Sequence, residues 1–338
     1  MSEFQSLEIL VKNRNESIRR RLFRKLAWLA LATFIVVNAL AFLFARKMLV
    51  FSDTGGTERT RYSFATVAAI FFEGVPKPQN RQTPDAPGLA YTTVVLRASG
   101  KADLEAWKIP HENPGGTVAL FHGHCATKSQ LLSEAREFHE MGFEVWMLDF
   151  YGSGGSSGHS TSIGYFEADD VKRLVDFIRA DTPRPLVLYG VSMGAAAITR
   201  AVGELGAKPD GVVLASSFGR MLDTTAHRIE EVGFPRTPLA QMIVFWGGVQ
   251  IGINGFKNNP VDFARGIACP SLVLQGSRDA MVHNDEAKEL FGNIAGPKKF
   301  VSFEGGGHAN FLHFDPKKWR AEISAWLAGD VAAHVPNR

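Results

Sequence analysis

Residues 186–202 read LVLYGVSMGAAAITRAV, and this stretch decides the fold. Its first four residues are typical of a short strand buried on both faces, and its last eight are typical of a helix. Between them lies a G-x-S-x-G motif, from Gly190 to Gly194, with Ser192 at its centre. The flanking glycines let strand and helix approach closely, which holds the serine exposed on a sharp, strained turn. Although a glycine-rich turn with a solvated serine would share the motif, this strand–helix context predicts that Ser192 is a nucleophile.

A serine hydroxyl is a weak nucleophile unless a base lies within hydrogen-bond reach and a third group orients that base. His308 ends the glycine-rich stretch EGGGH at residues 304–308, and Asp279 ends GSRD at residues 276–279. Each follows a predicted strand, so both should lie at the sheet edge that carries Ser192. Taken alone, each could be a solvated loop residue. Together, and in this chain order, the three predict a Ser–Asp–His triad.

The oxyanion that forms during attack needs backbone N–H donors. One should be the amide of Met193, directly after the nucleophile. The other should come from the turn FHGHC at residues 121–125, with His124 as the candidate. His122 and His124 could instead suggest a metal site, but no third ligand with suitable spacing accompanies them, and we predict no metal.

Strand-type and helix-type patterns alternate through the body of the chain, which predicts an α/β fold with a mainly parallel sheet. Eight strands are predicted, at residues 91–97, 102–109, 117–121, 144–149, 186–189, 211–215, 271–275 and 299–303. Amphipathic helices separate them; in one, apolar residues recur at helical spacing at Val171, Leu174, Val175 and Ile178. We therefore expect helices on both faces of an eight-stranded sheet, in one domain at residues 89–330.

Residues 216–265 separate the sixth predicted strand from the seventh and are rich in Phe, Met, Trp and Gly. An insertion of this length is commonly functional, and we predict that it forms a cap over Ser192. Its run MIVFWGGVQI, at residues 242–251, is too apolar for an exposed loop and too short to span a membrane. Two interpretations stay open. These residues only pack the cap against the sheet, or some of them, with Phe245 and Trp246 as candidates, line an acyl-binding wall.

The N-terminal run LAWLALATFIVVNALAFLFA, at residues 26–45, has no charged residue and is about as long as a membrane-spanning helix. Five basic residues precede it closely (Arg19, Arg20, Arg21, Arg24 and Lys25), whereas only Arg46 and Lys47 directly follow it. The positive-inside rule then places residues 1–25 in the cytoplasm and the body outside it, on the periplasmic side in a Gram-negative cell. A cleaved signal peptide is the alternative, because residues 39–41 read Ala-Leu-Ala. We expect an uncleaved single-pass anchor, then a linker and N-terminal extension at residues 46–88 with a packed helix at 64–72.

Charge is unevenly distributed along the chain. Residues 1–50 hold nine Lys/Arg and three Glu, a net charge of +6, whereas the remainder carries −3. A basic N-terminus on a mildly acidic body argues against a nucleic-acid surface. The only two cysteines, Cys125 and Cys269, are predicted at opposite ends of the sheet, too far apart for a disulfide. We expect two free thiols, with Cys125 a small packed residue.

Several motifs together resemble the α/β-hydrolase superfamily, in its serine aminopeptidase and monoglyceride-lipase-like branch. They are FHGH, DFYGSGGSSG at residues 149–158, GVSMG, LQGSRD and GGGH. Residues 83–110 look like the first two strands of bacterial membrane-anchored members, and the resemblance covers about residues 83–328. In this sequence Tyr151 replaces the usual Arg, and Ala280 and His283 stand where prolines are common. Asp149 is expected to order its turn rather than to act in catalysis.

The resemblance implies hydrolysis of an ester, thioester or amide without a cofactor. The leading expectation is a membrane-anchored serine esterase acting on a small or lipid-like acyl substrate, with Ser192, Asp279 and His308 as triad. A peptidase or amidase of the same fold is the alternative enzyme. A catalytically silent, membrane-tethered binding protein is the alternative of another class.

Overall fold

A computed structural model of the chain describes residues 2–52, 75–85, 88–97, 100–308 and 310–334, without the side chains of residues 2–12. Two short strands, β1 (Phe51–Ser52) and β2 (Val75–Pro76), pair with each other in parallel. The strands of the main sheet are β3 (Thr92–Leu96), β4 (Leu104–Ile109), β5 (Gly116–Phe121), β6 (Phe143–Leu148), β7 (Leu186–Val191), β8 (Gly211–Ala215), β9 (Ser271–Gly276) and β10 (Lys298–Phe303). All eight predicted strands are confirmed.

The sheet has the order β10-β9-β8-β7-β5-β6-β4-β3. β4 runs antiparallel to both of its neighbours, and the other neighbouring pairs are parallel, so the mainly parallel sheet is confirmed. Side chains alternate across it: Val118 and Leu120 enter one apolar core, whereas Ala119 and Phe121 enter the other. A sheet that is buried on both faces in this way explains why its central strands read as continuous apolar runs.

The helices are α1 (Ser2–Leu49), α2 (Leu132–Glu140), α3 (Glu167–Asp181), α4 (Met193–Gly203), α5 (Met221–Glu231), α6 (Arg236–Ile251), α7 (Pro260–Phe263), α8 (Asn284–Asn293), α9 (Phe311–Phe314), α10 (Pro316–Trp326) and α11 (Ala332–His334). One core packs α3, α4 and α8 against the sheet, and the other packs α2 and α10. Helices therefore cover both faces, as expected. The predicted apolar stripe of α3, from Val171 to Ile178, is buried.

The predicted insertion lies between β8 and β9 and forms α5, α6 and α7. Helices α5 and α6 pack against each other, and α6 also packs along the last part of α1. The insertion is thus helical. Through its packing on α1 it holds the N-terminal helix against the rest of the protein.

The N-terminal helix corrects one expected boundary. Residues 26–45 lie within α1, which has the length and composition to cross a membrane, but the helix continues beyond Ala45 to Leu49. Its end is then bonded directly to the body, because the Thr161 amide donates to the Leu49 carbonyl at 2.8 Å and the Phe51 amide donates to the His159 carbonyl at 2.7 Å. The predicted linker therefore does not begin at residue 46. The helix predicted at 64–72 lies outside the described residues.

Candidate active site

Ser192 lies at the turn between β7 and α4. Its φ of 54° and ψ of −114° are an uncommon conformation for a residue with a side chain, and its amide donates to the Ala215 carbonyl at 2.8 Å. A Cβ atom at Gly194 would lie 2.2 Å from the Phe121 carbonyl oxygen, so only glycine fits there without a shift of the backbone. The G-x-S-x-G spacing is explained by this close approach of helix and strand.

The three residues that the sequence singled out come together at the carboxyl edge of the sheet. His308 Nε2 lies 2.9 Å from Ser192 Oγ, and His308 Nδ1 lies 2.8 Å from Asp279 Oδ2. Because an ionised carboxylate can only accept, Nδ1 carries the imidazole proton and Nε2 accepts from the serine hydroxyl. The other oxygen of Asp279 accepts from the amides of Met281 and Val282, both at 2.9 Å.

The side chain of Asp279 is fully buried. Burial alone would raise the pKa of this carboxyl, but the hydrogen bond from His308, with those from the two loop amides, outweighs it and lowers the pKa. Asp279 therefore stays ionised at neutral pH. An ionised, buried acceptor holds the imidazole in the tautomer that presents Nε2 to Ser192.

The turn after β5 lies against Ser192, since a Cβ atom at Gly123 would be 3.6 Å from Ser192 Cβ. His122 is buried in this turn; its Nδ1 donates to the Gly123 carbonyl at 2.8 Å, and its Nε2 accepts from the Phe150 amide at 3.2 Å. His124 Nε2 donates to the carbonyl of Met48, near the end of α1, at 2.8 Å. These bonds occupy both ring nitrogens of His122 and one of His124, an arrangement that does not suit metal ligation.

Comparison with known proteins agrees with this fold. The sequence profile of the serine aminopeptidase (S33) family matches residues 112–240, which include the turn after β5 and the G-x-S-x-G motif. The protein YqkD of Bacillus subtilis is 26% identical over 241 residues, 70% of this chain and 79% of its own length. Membrane protein YNL320W of Saccharomyces cerevisiae is 29% identical over 229 residues, 67% of this chain and 76% of its own length.

Solved structures share the fold at low sequence identity. An esterase of Pyrococcus furiosus matches with a TM-score of 0.63 and 20% identity, covering 75% of this chain and 96% of the esterase. An esterase from Exiguobacterium antarcticum matches with a TM-score of 0.54 and 17% identity, covering 70% and 100%. The chain has the α/β-hydrolase fold. The predicted fold and the resemblance to this superfamily are confirmed, and the family match with the esterase neighbours supports an enzyme of the α/β-hydrolase type.

Asp149 organises the turn that follows β6 of the hydrolase. Its carboxylate accepts from the amides of Lys128 at 2.8 Å and Gly155 at 2.9 Å, and it pairs with the fully buried ammonium group of Lys128. Burial by itself raises the pKa of Asp149, but the charge of Lys128 and its hydrogen bonds outweigh it and lower the pKa. The expected structural role of Asp149 is confirmed.

An apolar cavity extends from Ser192 between the cap and α1. It is lined by Phe44, Ala45, Met48, Leu49, His124, Ser162, Ile163, Ser192, Met193, Phe218, Met221, Thr224, Thr225, Arg228, Ile243, Val244, Gly247, Gly248, Ile251, Ile253, Gly255, Asn258, Met281, Val282 and His308. Among these described residues Arg228 is the single side chain that is charged throughout the ordinary pH range, and none is acidic. The cavity is therefore suited to an apolar part of a ligand, and Arg228 could pair with at most one anionic group on that ligand.

The cavity corrects the choice of Phe245 and Trp246. Neither lines it; the residues of α6 that do are Ile243, Val244 and the positions one turn later. Successive helical residues point about 100° apart, so neighbours of a lining residue face elsewhere. Phe245 is 52% exposed, and Trp246 donates through Nε1 to Asn38 Oδ1 on α1 at 3.2 Å.

Sequence reasoning also missed the part that α1 plays in the cavity. Phe44 and Ala45 are predicted only as the end of an anchor, and Met48 and Leu49 only as the start of a linker, yet all four face the same space as Ser192. In the structure the buried residues Ala41, Ala45 and Leu49 recur every four positions, the spacing of a helix face that packs on protein. The sequence does not reveal this face, because nearly every neighbouring residue in the run is also apolar.

A second cluster lies beside the loop of Asp279. Ligand-type atoms of His227, His283 and Glu286 lie within 4.8 Å of one another, which by type could hold a divalent cation. However, the two imidazole rings stack with centroids 3.7 Å apart and planes at 22°, so their in-plane lone pairs do not converge on one point. His227 Nδ1 also lies 3.3 Å from Glu286 Oε1. A contact of His227 with Glu286 and a ring stack account for this cluster, which ties α5 to α8.

Both cysteines are free, as expected. Cys125 is exposed rather than packed, which corrects the expectation for that residue. Desolvation nevertheless raises the pKa of its thiol to about 11, so it stays protonated at neutral pH and is a poor nucleophile.

Proposed function

We propose that the protein is a serine hydrolase that cleaves carboxylic ester bonds through an acyl-enzyme intermediate on Ser192. The observation that carries this proposal is a continuous hydrogen-bonded chain from Asp279 through His308 to the Ser192 hydroxyl. This row of hydrogen bonds ends at Ser192, which lies on the strained turn between β7 and α4 and lines the apolar cavity. A solvated serine in a glycine-rich turn would need neither a base nor a buried acid behind that base.

In the proposed reaction Ser192 Oγ attacks the ester carbonyl while His308 Nε2 takes the hydroxyl proton. The amides of His124 and Met193 are proposed to stabilise the oxyanion, because Met193 is the first residue of α4, where helix geometry leaves the amide without an acceptor in the helix. The tetrahedral intermediate collapses, and His308 returns the proton to the departing alcohol. Water, deprotonated by His308, then releases the carboxylic acid and restores Ser192.

The charge of the cavity favours an ester over a peptide with a free amino terminus. An aminopeptidase must bind the ammonium group of its substrate, and a carboxylate is the usual partner for such a group. None of the described residues that line the cavity is acidic, and Arg228 would repel an ammonium group. Two solved structures of the same fold are esterases by name, which supports the same choice.

The test is the variant Ser192→Ala. We expect kcat/KM for p-nitrophenyl butyrate to fall by about 10⁴-fold or more, because the nucleophile is removed while the fold is retained. A fluorophosphonate probe should label the wild-type enzyme and not this variant. Ser324→Ala, an exposed serine on α10, is the matched control and should be labelled as the wild type is. A wild-type protein that neither labels nor hydrolyses esters would instead be a binding protein.

We further propose that α1 is a single membrane anchor with residues 1–25 in the cytoplasm and the hydrolase domain on the opposite side. The asymmetry of basic residues around 26–45 supports this orientation, and α1 is long and apolar enough to span. Alkaline phosphatase fused after Arg338 should be active in a bacterial host, and a fluorescent protein fused there should be dark. The opposite pair of results would reverse the orientation.

A further inference from the structure

The last turns of α1 contribute directly to the cavity of the proposed nucleophile. Phe44, Ala45, Met48 and Leu49 line it together with Ser192. The Met48 carbonyl also accepts the hydrogen bond from His124, whose amide is proposed to bind the oxyanion. Burial lowers the pKa of His124 to about 4, so this histidine is neutral and keeps the bond at ordinary pH. Helix α1 is therefore fixed to the active site and is more than a tether.

The contact of α1 with α6 extends into the span predicted for the membrane. Trp246 Nε1 donates to Asn38 Oδ1 at 3.2 Å, and Gln250 Nε2 donates to the Phe42 carbonyl at 3.1 Å. Asn38 precedes Arg46 by eight residues, about 12 Å along a helix axis. Because unsatisfied polar groups are costly in hydrocarbon, these pairs suit a cap helix that reaches below the membrane surface beside α1.

The outer side of α6 has the composition of a lipid-facing surface. From residue 237 to residue 251 the helix has no charged residue. Phe245 and Val249 are 52% and 54% exposed, and they are next to an α1 whose residues 26–36 are exposed and largely apolar. An apolar surface of this kind is typical of contact with a membrane.

We propose that α1 and α6 together form the acyl-binding wall, and that an acyl ester of the surrounding membrane reaches Ser192 along this wall directly from the bilayer. This inference rests on the proposed function. It places the acyl chain against Ala45, Met48 and Val244, with the carbonyl at Ser192. Helix α1 would then contribute to substrate specificity in addition to anchoring the enzyme in the membrane.

The test compares Ala45→Phe with Ala39→Phe. Ala45 is buried and lines the cavity, whereas Ala39 is exposed on a different face of the same helix. The measured quantity is the ratio of kcat/KM for octanoyl over acetyl p-nitrophenyl esters, which does not depend on the fraction of active enzyme. The wild-type ratio should be well above one, since each buried methylene contributes roughly fourfold at most.

We expect Ala45→Phe to lower this ratio at least tenfold and Ala39→Phe to leave it within twofold. If Ala45→Phe hydrolyses neither ester, Ala45→Val takes its place and should lower the ratio by a smaller factor. An unchanged ratio in the Ala45 variant, with normal fluorophosphonate labelling of the wild type, would overturn the wall and leave the hydrolase intact. Absence of wild-type labelling would instead overturn the proposed function.

The source of the substrate is tested in vesicles. The full-length enzyme is reconstituted either in vesicles that contain a fluorogenic long-chain acyl ester or in plain vesicles mixed with ester-containing ones. Entry from the same bilayer predicts at least tenfold faster hydrolysis in the first case. Equal initial rates would show that the ester enters from water, which contradicts the route.

A separate observation concerns the charge in the cavity. Arg228, on α5, lines the cavity, and its guanidinium forms no hydrogen bond or ion pair with a described residue; Glu231 acts on it only from a distance. An unpaired cation in an apolar space is costly unless a ligand supplies the counter-charge. We infer that Arg228 binds an anionic group, a carboxylate or phosphate, on the substrate or product.

Arg228→Gln tests this inference with two octanoyl esters, one of a neutral alcohol and one of an alcohol that bears a carboxylate. The variant should lower kcat/KM for the anionic ester at least tenfold more than for the neutral ester, and Arg228→Lys should recover part of the difference. Equal loss for both esters would mean that Arg228 only supports the cap.

Discussion

Two regions of the hydrolase are built on different principles. The active-site edge comprises Ser192, Gly194 and the Lys128–Asp149 pair, and there backbone segments and buried charges are in close contact. A Cβ atom at Gly194 would lie 2.2 Å from a carbonyl oxygen. At the α1–α6 seam, here the contact of residues 38–49 with residues 243–251, side chains meet at ordinary distances. A Cβ atom at Gly247 would lie 3.7 Å from Leu49 and 3.8 Å from Ala45. We therefore expect the active-site edge to tolerate almost no substitution, whereas the α1–α6 seam should tolerate substitutions that add or remove a small group.

The largest effect is expected for Lys128→Met at the active-site edge. Lys128 is fully buried and pairs with Asp149, and also with Glu105 at 2.7 Å. Its loss leaves Asp149 buried without a counter-charge, and we expect the free energy of unfolding to fall by about 3–5 kcal/mol. Thermal unfolding of the solubilised protein measures the change. Lys172→Met, which breaks a more exposed pair with Asp176, is the control and should cost no more than about 0.5 kcal/mol.

The loss of stability in Lys128→Met should depend on pH. In the wild type the pKa of Asp149 is lowered by folding, so its stabilisation is present above the unfolded pKa of about 4 and is lost as the pH falls through the folded pKa. In Lys128→Met the ammonium charge is lost while burial and the backbone hydrogen bonds to Asp149 remain, so the pKa of Asp149 is higher than in the wild type and protonation at low pH relieves the variant. The difference in Tm between the two proteins should therefore narrow as the pH is lowered. A constant difference would show that Lys128 acts through packing alone.

Gly194→Ala should have the next largest effect, and mainly on catalysis. The added methyl group must displace α4 from the Phe121 carbonyl, which moves Ser192 relative to His308. A displacement on the order of 1 Å costs about 100-fold in kcat/KM. Gly292→Ala in α8, where a Cβ atom would meet nothing within 4 Å, should hydrolyse p-nitrophenyl butyrate as the wild type does. Normal turnover by Gly194→Ala would contradict the tight fit proposed for this edge.

The difference between the regions also separates what the sequence could predict from what it could not. The eight strands and the gathering of Ser192, Asp279 and His308 follow from short apolar runs, glycines and strand ends, which are local patterns. The seam depends on contacts between residues 208 positions apart, such as Trp246 with Asn38. The face of α6 that contacts α1 is set by side-chain packing between residues far apart in the sequence. The order of apolar and polar residues within α6 does not predict it. The choice of Phe245 and Trp246 was wrong for this reason.

A moderate effect is expected for Trp246→Phe in the seam. The ring contact with Phe42, at 5.6 Å between centroids, is largely kept, whereas the hydrogen bond to Asn38 is lost. The cost should be about 0.5–1.5 kcal/mol in a Tm measurement. Because neither residue lines the cavity, Trp246→Phe and Phe245→Ala should leave the octanoyl-to-acetyl ratio within about twofold, a change of under 0.5 kcal/mol. A flattened chain-length profile in Phe245→Ala would restore the original assignment of these residues.

The smallest effect on stability is expected for Gly247→Ala. The same substitution at the neighbouring Gly248 should destabilise the protein. At Gly247 the new methyl group would make ordinary van der Waals contacts with α1, and alanine favours a helix over glycine by about 0.5–1 kcal/mol. At Gly248 it would lie 2.6 Å from the Ile253 carbonyl oxygen and 2.7 Å from the Gly255 nitrogen, so the backbone must shift at a cost of about 1–3 kcal/mol. We therefore expect the Tm of Gly247→Ala to equal or exceed that of the wild type and the Tm of Gly248→Ala to fall. If Gly247→Ala destabilised the protein as much as Gly248→Ala, the seam would be as tightly determined as the active-site edge, and the contrast between the two regions would be lost.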